Sequence, residues 1–220
     1  MTAILESLQN HVPQTPFGLL IRHADRPPIV NWEEAFDVLI SEEGHERARE
    51  LGRELAAYGK VQLFHSPIQR CQETAKAICE GVVQAGGQSQ VVDSLYNLGG
   101  PYLLDIPKGL KRAKELGKDF IRAWFNGEFP TDVLLPRAET ARLQAKTLLD
   151  SLKLIKDGIA VYVSHDWNLL SIREEFLKVT HEDMGWMTFM DGFVCHLENE
   201  TFHLHHRGLN FTLPSDPSTW

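Results

Sequence analysis

The sequence predicts an α/β fold, with three α/β/α layers around a mainly parallel central sheet. Along its 220 residues, short apolar runs typical of buried strands alternate with amphipathic helical stretches. Strands separated by helices indicate βαβ units, whose parallel sheets are covered on both faces. Because we find no internal repeat and no linker-like composition, we expect residues 1–220 to form a single domain.

Local signals define several element boundaries. Ser41 is of a type that caps helix N-termini with its side-chain oxygen, and Gly59 is typical of a helix stop. Pro67 suits the first turn of the next helix. The predicted elements, in chain order, are a strand at 17–23, a helix at 41–59, a strand at 61–66, a helix from 67, a strand at 90–96, helices at 110–125 and 138–155, a strand at 158–166, a further helix, and a hairpin closing around 198–200. We expect the last residues, 213–220, to be mobile.

Composition narrows the partners and the cellular setting. The formal net charge is -8, which argues against nucleic-acid binding because such proteins usually carry a basic patch. No apolar run approaches the roughly 18 residues that a membrane helix needs. The first residues do not resemble a signal peptide, and the three cysteines fit neither a disulfide framework nor a zinc motif. We therefore expect a cytoplasmic protein; its oligomeric state is not defined by the sequence.

Polar and reactive side chains follow three of the predicted strands. Arg22 and His23 end the first strand, Arg70 follows the second, and His165 and Asp166 end the strand at 158–166. Ligands of parallel α/β sheets bind outside the carboxyl ends of the strands. The sequence therefore predicts that these side chains converge on one crevice.

The residue types indicate phosphoryl transfer. Arg22, Arg26 and Arg70 would supply charged forks of donors suited to a phosphate dianion and to the charge that builds in its transition state. One histidine can act as a nucleophile and the other as a donor to a phosphoryl oxygen, while Asp166 can protonate a leaving alkoxide. Because we find neither a P-loop nor a metal-binding pattern, we expect a phosphohistidine mechanism with no metal and no cofactor.

Three segments together resemble the histidine phosphatase superfamily, also called phosphoglycerate mutase-like or acid phosphatase. They are IRHADRPP at 21–28, HSPIQRCQETA at 65–75 and VSHDWN at 163–168, and their order and spacing agree with the family pattern. The resemblance spans residues 18–170. It implies a phosphoglycerate mutase-like fold and a phosphatase acting on a small phosphorylated substrate.

Carried over residue by residue, the resemblance implies that His23 is the nucleophile that becomes phosphorylated. It also implies that Arg22, Arg70 and His165 form the phosphate pocket. Ala24 replaces the glycine that usually follows the nucleophile. Alanine is the smallest available change, so we expect it to matter little.

A second departure affects the proton donor. Asn97 lies near the position where compact members usually carry a catalytic glutamate, and an amide cannot act as a carboxylic acid. Arg26 and Pro28 resemble the acid phosphatase branch, which takes its proton donor directly after the second histidine. The resemblance therefore implies that Asp166 is the acid and that Arg26 is a third phosphate ligand.

Alternatives stay open at this stage. Glu139 is the other candidate proton donor, although it is placed to stabilise the start of its helix. A phosphomutase would use the same phosphohistidine, and a non-catalytic protein would only bind the phosphorylated ligand. Metal-dependent hydrolysis through His23, Asp25, His165 and Asp166 is a further alternative, and activity would then be lost on chelation.

Two groups of basic and histidine residues are interpreted structurally. His203 and His205 alternate along one strand, which favours a solvated strand face over a metal site. The basic residues within 108–118 favour the solvated face of an amphipathic helix. The sharper hypothesis is that residues 97–137 form a small cap over the crevice and that Lys111 and Arg112 meet a second anionic group of the substrate.

Overall fold

A seven-stranded mixed sheet with helices on both faces forms the centre of the protein. The computed structural model describes residues 3–10, 13, 16–30, 34–100 and 102–220. The strand order is β3-β2-β4-β1-β5-β6-β7. The strands are β1 Phe17–Arg22, β2 Val61–His65, β3 Ser89–Ser94, β4 Ile159–Ser164, β5 Gly192–Glu198, β6 Thr201–His206 and β7 Leu209–Pro214. The helices are α1 Ala3–Asn10, α2 Glu42–Leu55, α3 Gln69–Gln84, α4 Ile106–Leu116, α5 Phe120–Phe125, α6 Arg137–Leu152, α7 Asp166–Ile172 and α8 His181–Met184.

The sheet is parallel through β3, β2, β4 and β1, and antiparallel from β1 through β7. The predicted α/β/α fold is therefore confirmed, and its four parallel strands are joined by the expected helical connections. The predicted hairpin is present as β5 and β6. Asn199 and Glu200 form its turn, both with positive φ, as a two-residue hairpin turn requires.

Two hydrophobic clusters cover the opposite faces of the sheet. Successive side chains of a strand point to opposite faces, so Leu19 and Ile21 of β1 join one cluster while Leu20 joins the other. The first cluster is completed by α1, α2 and α3. The second is completed by α6, α7 and the segment that contains α4 and α5. Burial on both faces explains why β1 and β4 read as continuous apolar runs.

The start signal predicted for α2 is confirmed, whereas Gly59 ends the 3₁₀ turn Ala56–Tyr58 that follows the helix. Ser41 accepts a hydrogen bond from the backbone N–H of Gly44 at 3.1 Å, as an N-cap does. The helix packs against α3 at a very short distance. A Cβ atom placed on Gly52 would lie 2.1 Å from the carbonyl oxygen of Ile78, and one on Gly81 would lie 2.0 Å from that of Arg49. Only glycine permits so close an approach of the two backbones.

The continuous helix predicted over 110–125 is wrong. The structure has α4 and α5 separated by a short 3₁₀ turn at Gly117–Asp119, with Gly117 at a φ of 54°. The apolar spacing continues through this break, so periodicity alone gave no sign of it. Gly117 was the local signal, because glycine enters positive φ without steric cost.

The mobile C-terminus predicted for 213–220 is also wrong. Leu213 and Pro214 complete β7, which extends the sheet beyond the predicted hairpin. The indole N–H of Trp220 donates to the carbonyl of Pro214 at 2.7 Å, and its ring stacks near Phe202. The proline and serine residues near the end predicted a segment without packing contacts, but the contacts of Trp220 anchor it.

The segment proposed as a cap packs against the second hydrophobic cluster. Phe120 and Trp124 are buried there, while Tyr102, Leu103 and Leu110 reach the cavity described below. The segment is tied to the rest of the chain by ion pairs from Arg122 to Glu174 and Glu182. Its function as a cap stays a prediction. Among the described residues, no helix is both long enough and apolar enough to span a bilayer.

Candidate active site

The carboxyl ends of β1, β2 and β4 meet at one cavity of about 400 Å³, as the sequence predicted. One end of this cavity is lined by five of the six predicted site residues: His23, Arg26, Arg70, His165 and Asp166. The sixth, Arg22, does not line the cavity. Its guanidinium is paired with Asp166 at 2.9 Å.

His23 is held in a defined tautomer. Its Nδ1–H donates to the carbonyl oxygen of Ala24 at 2.8 Å, so the lone pair is on Nε2. Ala24 itself is anchored because its N–H donates to Thr74 Oγ1 at 3.0 Å. The side chain is 1% exposed, and burial together with the positive charges of Arg70 and Arg22 lowers the pKa of His23 well below its usual range. His23 is therefore a neutral imidazole.

Arg22 holds Asp166 at the start of α7. Its guanidinium donates to Asp166 and to the carbonyl oxygen of Met187, and it stacks on the ring of Phe189 at 4.0 Å. Burial alone would raise the pKa of Asp166, but the positive charge of Arg22 and a 2.9 Å hydrogen bond from the indole N–H of Trp186 outweigh it. The pKa of Asp166 is therefore lowered, and the carboxylate is ionised.

Arg26 and Arg70 are the two guanidinium groups that face the cavity. Arg70 donates to the carbonyl oxygen of Ala35 at 2.8 Å and to His165 Nδ1 at 3.3 Å. Arg26 donates to the carbonyl oxygen of Pro27. Burial and the nearby positive charges of Arg70 and Arg22 lower the pKa of Arg26 to about 10, so it stays charged near neutral pH.

His165 is connected to Ser66 as well as to Arg70. The Nε2 atom lies 2.8 Å from Ser66 Oγ, which also accepts a hydrogen bond from the N–H of Ile68 at 3.1 Å. Burial and the charge of Arg70 lower the pKa of His165 well below its usual range, so this imidazole is also neutral. In the arrangement observed, Arg70 donates to Nδ1, and Nε2–H donates to Ser66.

Sequence reasoning missed two residues of this site. Ser66 follows β2 directly, in the same position after a strand that drew attention to His23 and His165, so a signal was present. Trp186 lies 20 residues beyond Asp166 in a loop, and no pattern connects the two in sequence. Only the fold brings the indole to the carboxylate.

Several alternative residues are placed elsewhere. Asn97 donates to Thr147 Oγ1 on α6, and Glu139 is exposed in the first turn of the same helix; neither lines the cavity. Both carboxylate oxygens of Asp25 accept from Arg47 at 2.7 Å. Of the four residues considered as metal ligands from the sequence, Asp25 is therefore paired with Arg47 and does not line the cavity. Cys71 is buried, and burial raises the pKa of its thiol to about 12.

The histidines of β5 and β6 are not the solvated strand face that the sequence favoured. His196 and His205 are buried, and their rings stack with that of His203 in nearly parallel planes. The ligand nitrogens of the three lie within 4.8 Å of one another. A metal ion binds in the plane of an imidazole, where the nitrogen lone pair lies, so one ion cannot reach all three rings as they are stacked.

A second group of possible ligands, Glu174, His181 and Glu182, is engaged by Arg122. That guanidinium donates to both carboxylates and lies 3.4 Å from His181 Nδ1. Arg137 donates to Glu174 as well. The group is therefore an ion-pair network that connects α5 and α6 with the chain after α7.

Residues 19–97 match the sequence model of the histidine phosphatase superfamily, branch 1. This match confirms the superfamily resemblance predicted from the first two motifs and, with it, the phosphatase class of enzyme. The acid-phosphatase-type roles of Arg26 and Asp166 stay predictions. The match includes His23 and Arg70 but ends before His165 and Asp166, whose place at the site is given by the fold. A comparison with curated protein sequences finds no significant match.

Solved structures share the fold over most of the chain. A phosphoserine phosphatase mutant from Entamoeba histolytica is similar with a TM-score of 0.60 at 18% identity, over 88% of this chain and 96% of that one. Bacillus stearothermophilus YhfR is similar with a TM-score of 0.59 at 17% identity, over 87% and 96%. A mycobacterial glucosyl-3-phosphoglycerate phosphatase is similar with a TM-score of 0.57 at 15% identity, over 84% and 92%. At these identities the similarity establishes the fold alone, which confirms the phosphoglycerate mutase-like prediction.

Proposed function

We propose that the protein is a metal-independent phosphomonoesterase that acts through a covalent phosphohistidine on His23, with Asp166 as the proton donor. The state of His23 is the observation that carries this proposal. The imidazole is buried and neutral, and the hydrogen bond to Ala24 leaves the lone pair on Nε2 at the cavity. A neutral imidazole with a fixed tautomer is what nucleophilic attack on phosphorus requires.

The net charge around His23 is similar in size and opposite in sign to that of a phosphate monoester. Arg22, Arg26 and Arg70 contribute three positive charges, Asp166 contributes one negative charge, and both histidines are neutral. The pocket therefore has two positive charges in excess, against about -1.5 to -2 on a phosphate monoester near neutral pH. Charged forks fixed in a buried site also stabilise the charge that builds on the equatorial oxygens in the transition state.

Phosphate binding would change the protonation of Asp166. In the free protein the charge of Arg22 helps to keep this carboxyl ionised. A phosphate dianion close to Arg22 would offset that charge and would itself disfavour a second anion nearby, and both effects raise the pKa of Asp166. Substrate binding would therefore favour protonation of Asp166, which can then give that proton to the leaving group.

In the first step, His23 Nε2 attacks phosphorus, the bond from phosphorus to the leaving oxygen breaks, and Asp166 gives its proton to that oxygen. The phosphoryl group is then on Nε2. In the second step, a water molecule attacks phosphorus while Asp166 takes the water proton, and the bond from phosphorus to Nε2 breaks. Inorganic phosphate and neutral His23 are the products. His165 would donate to a phosphoryl oxygen once its proton is on Nδ1.

Hydrolysis of p-nitrophenyl phosphate in excess EDTA tests this proposal. Wild type should turn over without metal, and His23→Ala should lose activity by at least about 10³-fold, because the variant lacks the nucleophile of the proposed mechanism. Loss of wild-type activity on chelation would contradict the metal-independent mechanism. Equal activity of both proteins would place catalysis away from His23.

The runner-up functions use the same pocket. A phosphomutase would return the phosphoryl group from His23 to a bound acceptor alcohol, and transfer to 3-phosphoglycerate would reveal it. A non-catalytic binder would retain phosphate affinity without turnover. The presence of nucleophile, guanidinium groups and carboxylate together at one cavity favours the hydrolase over the binder.

A further inference from the structure

The cavity changes character away from the phosphate end. Beyond His23, the arginines, His165 and Asp166, its described walls are apolar or aromatic, formed by side chains from five parts of the chain. They include Ile29 and Phe36 after β1, Ile68 before α3, and Leu103 and Leu110 of the segment around α4. Tyr102, Trp167 and Trp186 contribute aromatic rings.

The aromatic wall is built from packed rings. Trp167 lies between Tyr102 and Phe120, with ring centroids 6.2 Å and 4.9 Å away. Tyr102 is 4% exposed, and burial raises the pKa of its phenol, which is therefore neutral. Trp186 is held by the hydrogen bond from its indole N–H to Asp166. The rings are thus fixed next to the proton donor, where the leaving group of a substrate must lie.

No described lysine or arginine lines this outer part of the cavity. Arg26 and Arg70 belong to the phosphate end. On α4, Lys111 and Arg112 are exposed and do not line the cavity. Their neighbour Leu110 does line it. The sequence hypothesis that Lys111 and Arg112 meet a second anionic group of the substrate therefore finds no support in the lining. A substrate carboxylate would lose water here without gaining a cationic partner.

We infer that the preferred substrates are phosphate monoesters of an apolar alcohol, with a group about the size of one aromatic ring attached. This inference rests on the proposed function and names the substrate class of the same site. A cavity of about 400 Å³ has room for such a group beside the phosphate. Burial of the ring removes apolar surface from water, whereas a polyol or a carboxylate would be desolvated without compensation.

Two primary alkyl phosphates make a matched comparison. 2-Phenylethyl phosphate and glycerol 1-phosphate both release a primary alcohol, so their intrinsic reactivities are similar. A difference in kcat/KM between them therefore reports mainly on the side group. We expect kcat/KM to favour 2-phenylethyl phosphate by about 10- to 100-fold, the effect of burying one side chain of phenyl size. O-Phosphoserine and 3-phosphoglycerate, which carry carboxylates, should be poorer still.

A charge placed on the wall should reverse the preference. Leu110→Arg puts a cation on a half-buried helix position that lines the cavity, and arginine is well tolerated in helices. This variant should lower kcat/KM for 2-phenylethyl phosphate and raise it for 3-phosphoglycerate by about tenfold. Lys111→Ala, one residue along on the exposed side of the same helix, is the matched control and should change neither value.

The outcomes separate this inference from the proposed function. Equal rates on the matched pair, or a preference for the carboxylates, with turnover of all substrates lost in His23→Ala, would overturn the apolar substrate class and leave the phosphatase in place. Absence of turnover on every substrate would overturn the phosphatase. In that case calorimetric binding to His23→Ala decides the substrate class: tighter binding of 2-phenylethyl phosphate than of glycerol 1-phosphate supports it, and the reverse contradicts it.

Discussion

Arg70 and Ser66 together set which nitrogen of His165 carries the proton. The Ser66 hydroxyl already accepts from the N–H of Ile68, and it lies 2.8 Å from His165 Nε2. In the free protein Nε2–H donates to this hydroxyl while Arg70 donates to Nδ1. In the proposed mechanism, phosphate takes the donors of Arg70, and the Ser66 hydroxyl can then rotate and donate to Nε2, which would place the imidazole proton on Nδ1 for a phosphoryl oxygen.

Replacement of this serine should therefore slow catalysis more than it weakens the fold. We expect Ser66→Ala to lower kcat by about 10- to 100-fold, the effect of losing one buried hydrogen bond of about 1–3 kcal/mol. Ser66→Thr keeps a hydroxyl and should recover part of the rate. Ser171→Ala is the control, because Ser171 is equally buried but donates to the carbonyl of Asn168. An unchanged kcat in Ser66→Ala would remove Ser66 from the mechanism.

At the scale of single residues, sequence patterns predicted the positions of most site residues but not their contacts. The strand-end rule brought His23, Arg70, His165 and Asp166 to one cavity, as observed. The pairing of Arg22 with Asp166 was not predictable, because it depends on which way each guanidinium points after folding. The same holds for Trp186, which a loop brings back to Asp166 from 20 positions further along the chain.

At the scale of elements, the contact between α2 and α3 depends on glycine. A Cβ on Gly81 would lie 2.0 Å from the carbonyl oxygen of Arg49, which is backbone and cannot turn aside. The two helices would have to separate. Since α3 begins at Gln69, next to Arg70, their spacing also bears on the position of a site residue.

We expect Gly81→Ala to lower the free energy of unfolding by about 1–3 kcal/mol and Tm by about 2–12 °C, despite the better helix propensity of alanine. Differential scanning calorimetry measures this. Gly100→Ala is the control, because its nearest neighbour would be a side-chain atom of Leu103 at 3.5 Å, an ordinary contact. A Gly81→Ala variant as stable as wild type would show that the helix pair tolerates separation.

Elements were predictable where one strong pattern decided them. The apolar runs of β1 and β4 and the cap of α2 gave correct positions within a few residues. The break at Gly117 and the strand β7 were both missed, because in each case a neighbouring sequence pattern pointed to a different structure. Amphipathic spacing concealed the break, and polar turn residues at 215–219 concealed a C-terminus that is anchored through Trp220.

At the scale of the whole molecule, the two buried histidines of the site lower the free energy of unfolding at low pH. His23 and His165 are buried and neutral, and burial lowers the pKa of each well below 6.5. The unfolded chain binds protons at these residues as the pH falls below about 6.5, whereas the folded protein does not. Because the folded-state pKa is depressed, the stability is fully present above the unfolded pKa and is lost progressively as the pH falls below it.

We therefore expect Tm to fall between pH 7.5 and pH 5.0, with the change in His165→Gln smaller than in wild type. The variant lacks one group that binds a proton only on unfolding, and the other histidines are common to both proteins. Calorimetry at the two pH values gives the difference within each protein, so a general loss of stability in the variant cancels. An equal or steeper fall in His165→Gln would contradict a neutral, buried His165.

The charge of the whole chain and the charge of its pocket are opposite in sign. The formal net charge of -8 belongs to the chain as a whole, while Arg26 and Arg70 face the pocket beside two neutral histidines and Arg22 is paired with Asp166. The sequence predicted this local cluster, since the arginines stand next to strand ends. It could not predict the apolar outer wall, because Ile29, Leu110 and Trp186 come from separate loops and helices that only the fold assembles.

The central claim is that His23 carries the phosphoryl group during turnover, and trapping that intermediate tests it most directly. Asp166→Asn should accumulate phosphoenzyme with p-nitrophenyl phosphate, because nitrophenolate leaves without an acid whereas the attack of water still needs a base. Alkaline quenching followed by intact-mass and peptide mass spectrometry should then show one acid-labile phosphoryl group on the peptide that contains His23. No phosphoenzyme in this variant, or a phosphoryl group on any other residue, would contradict the account.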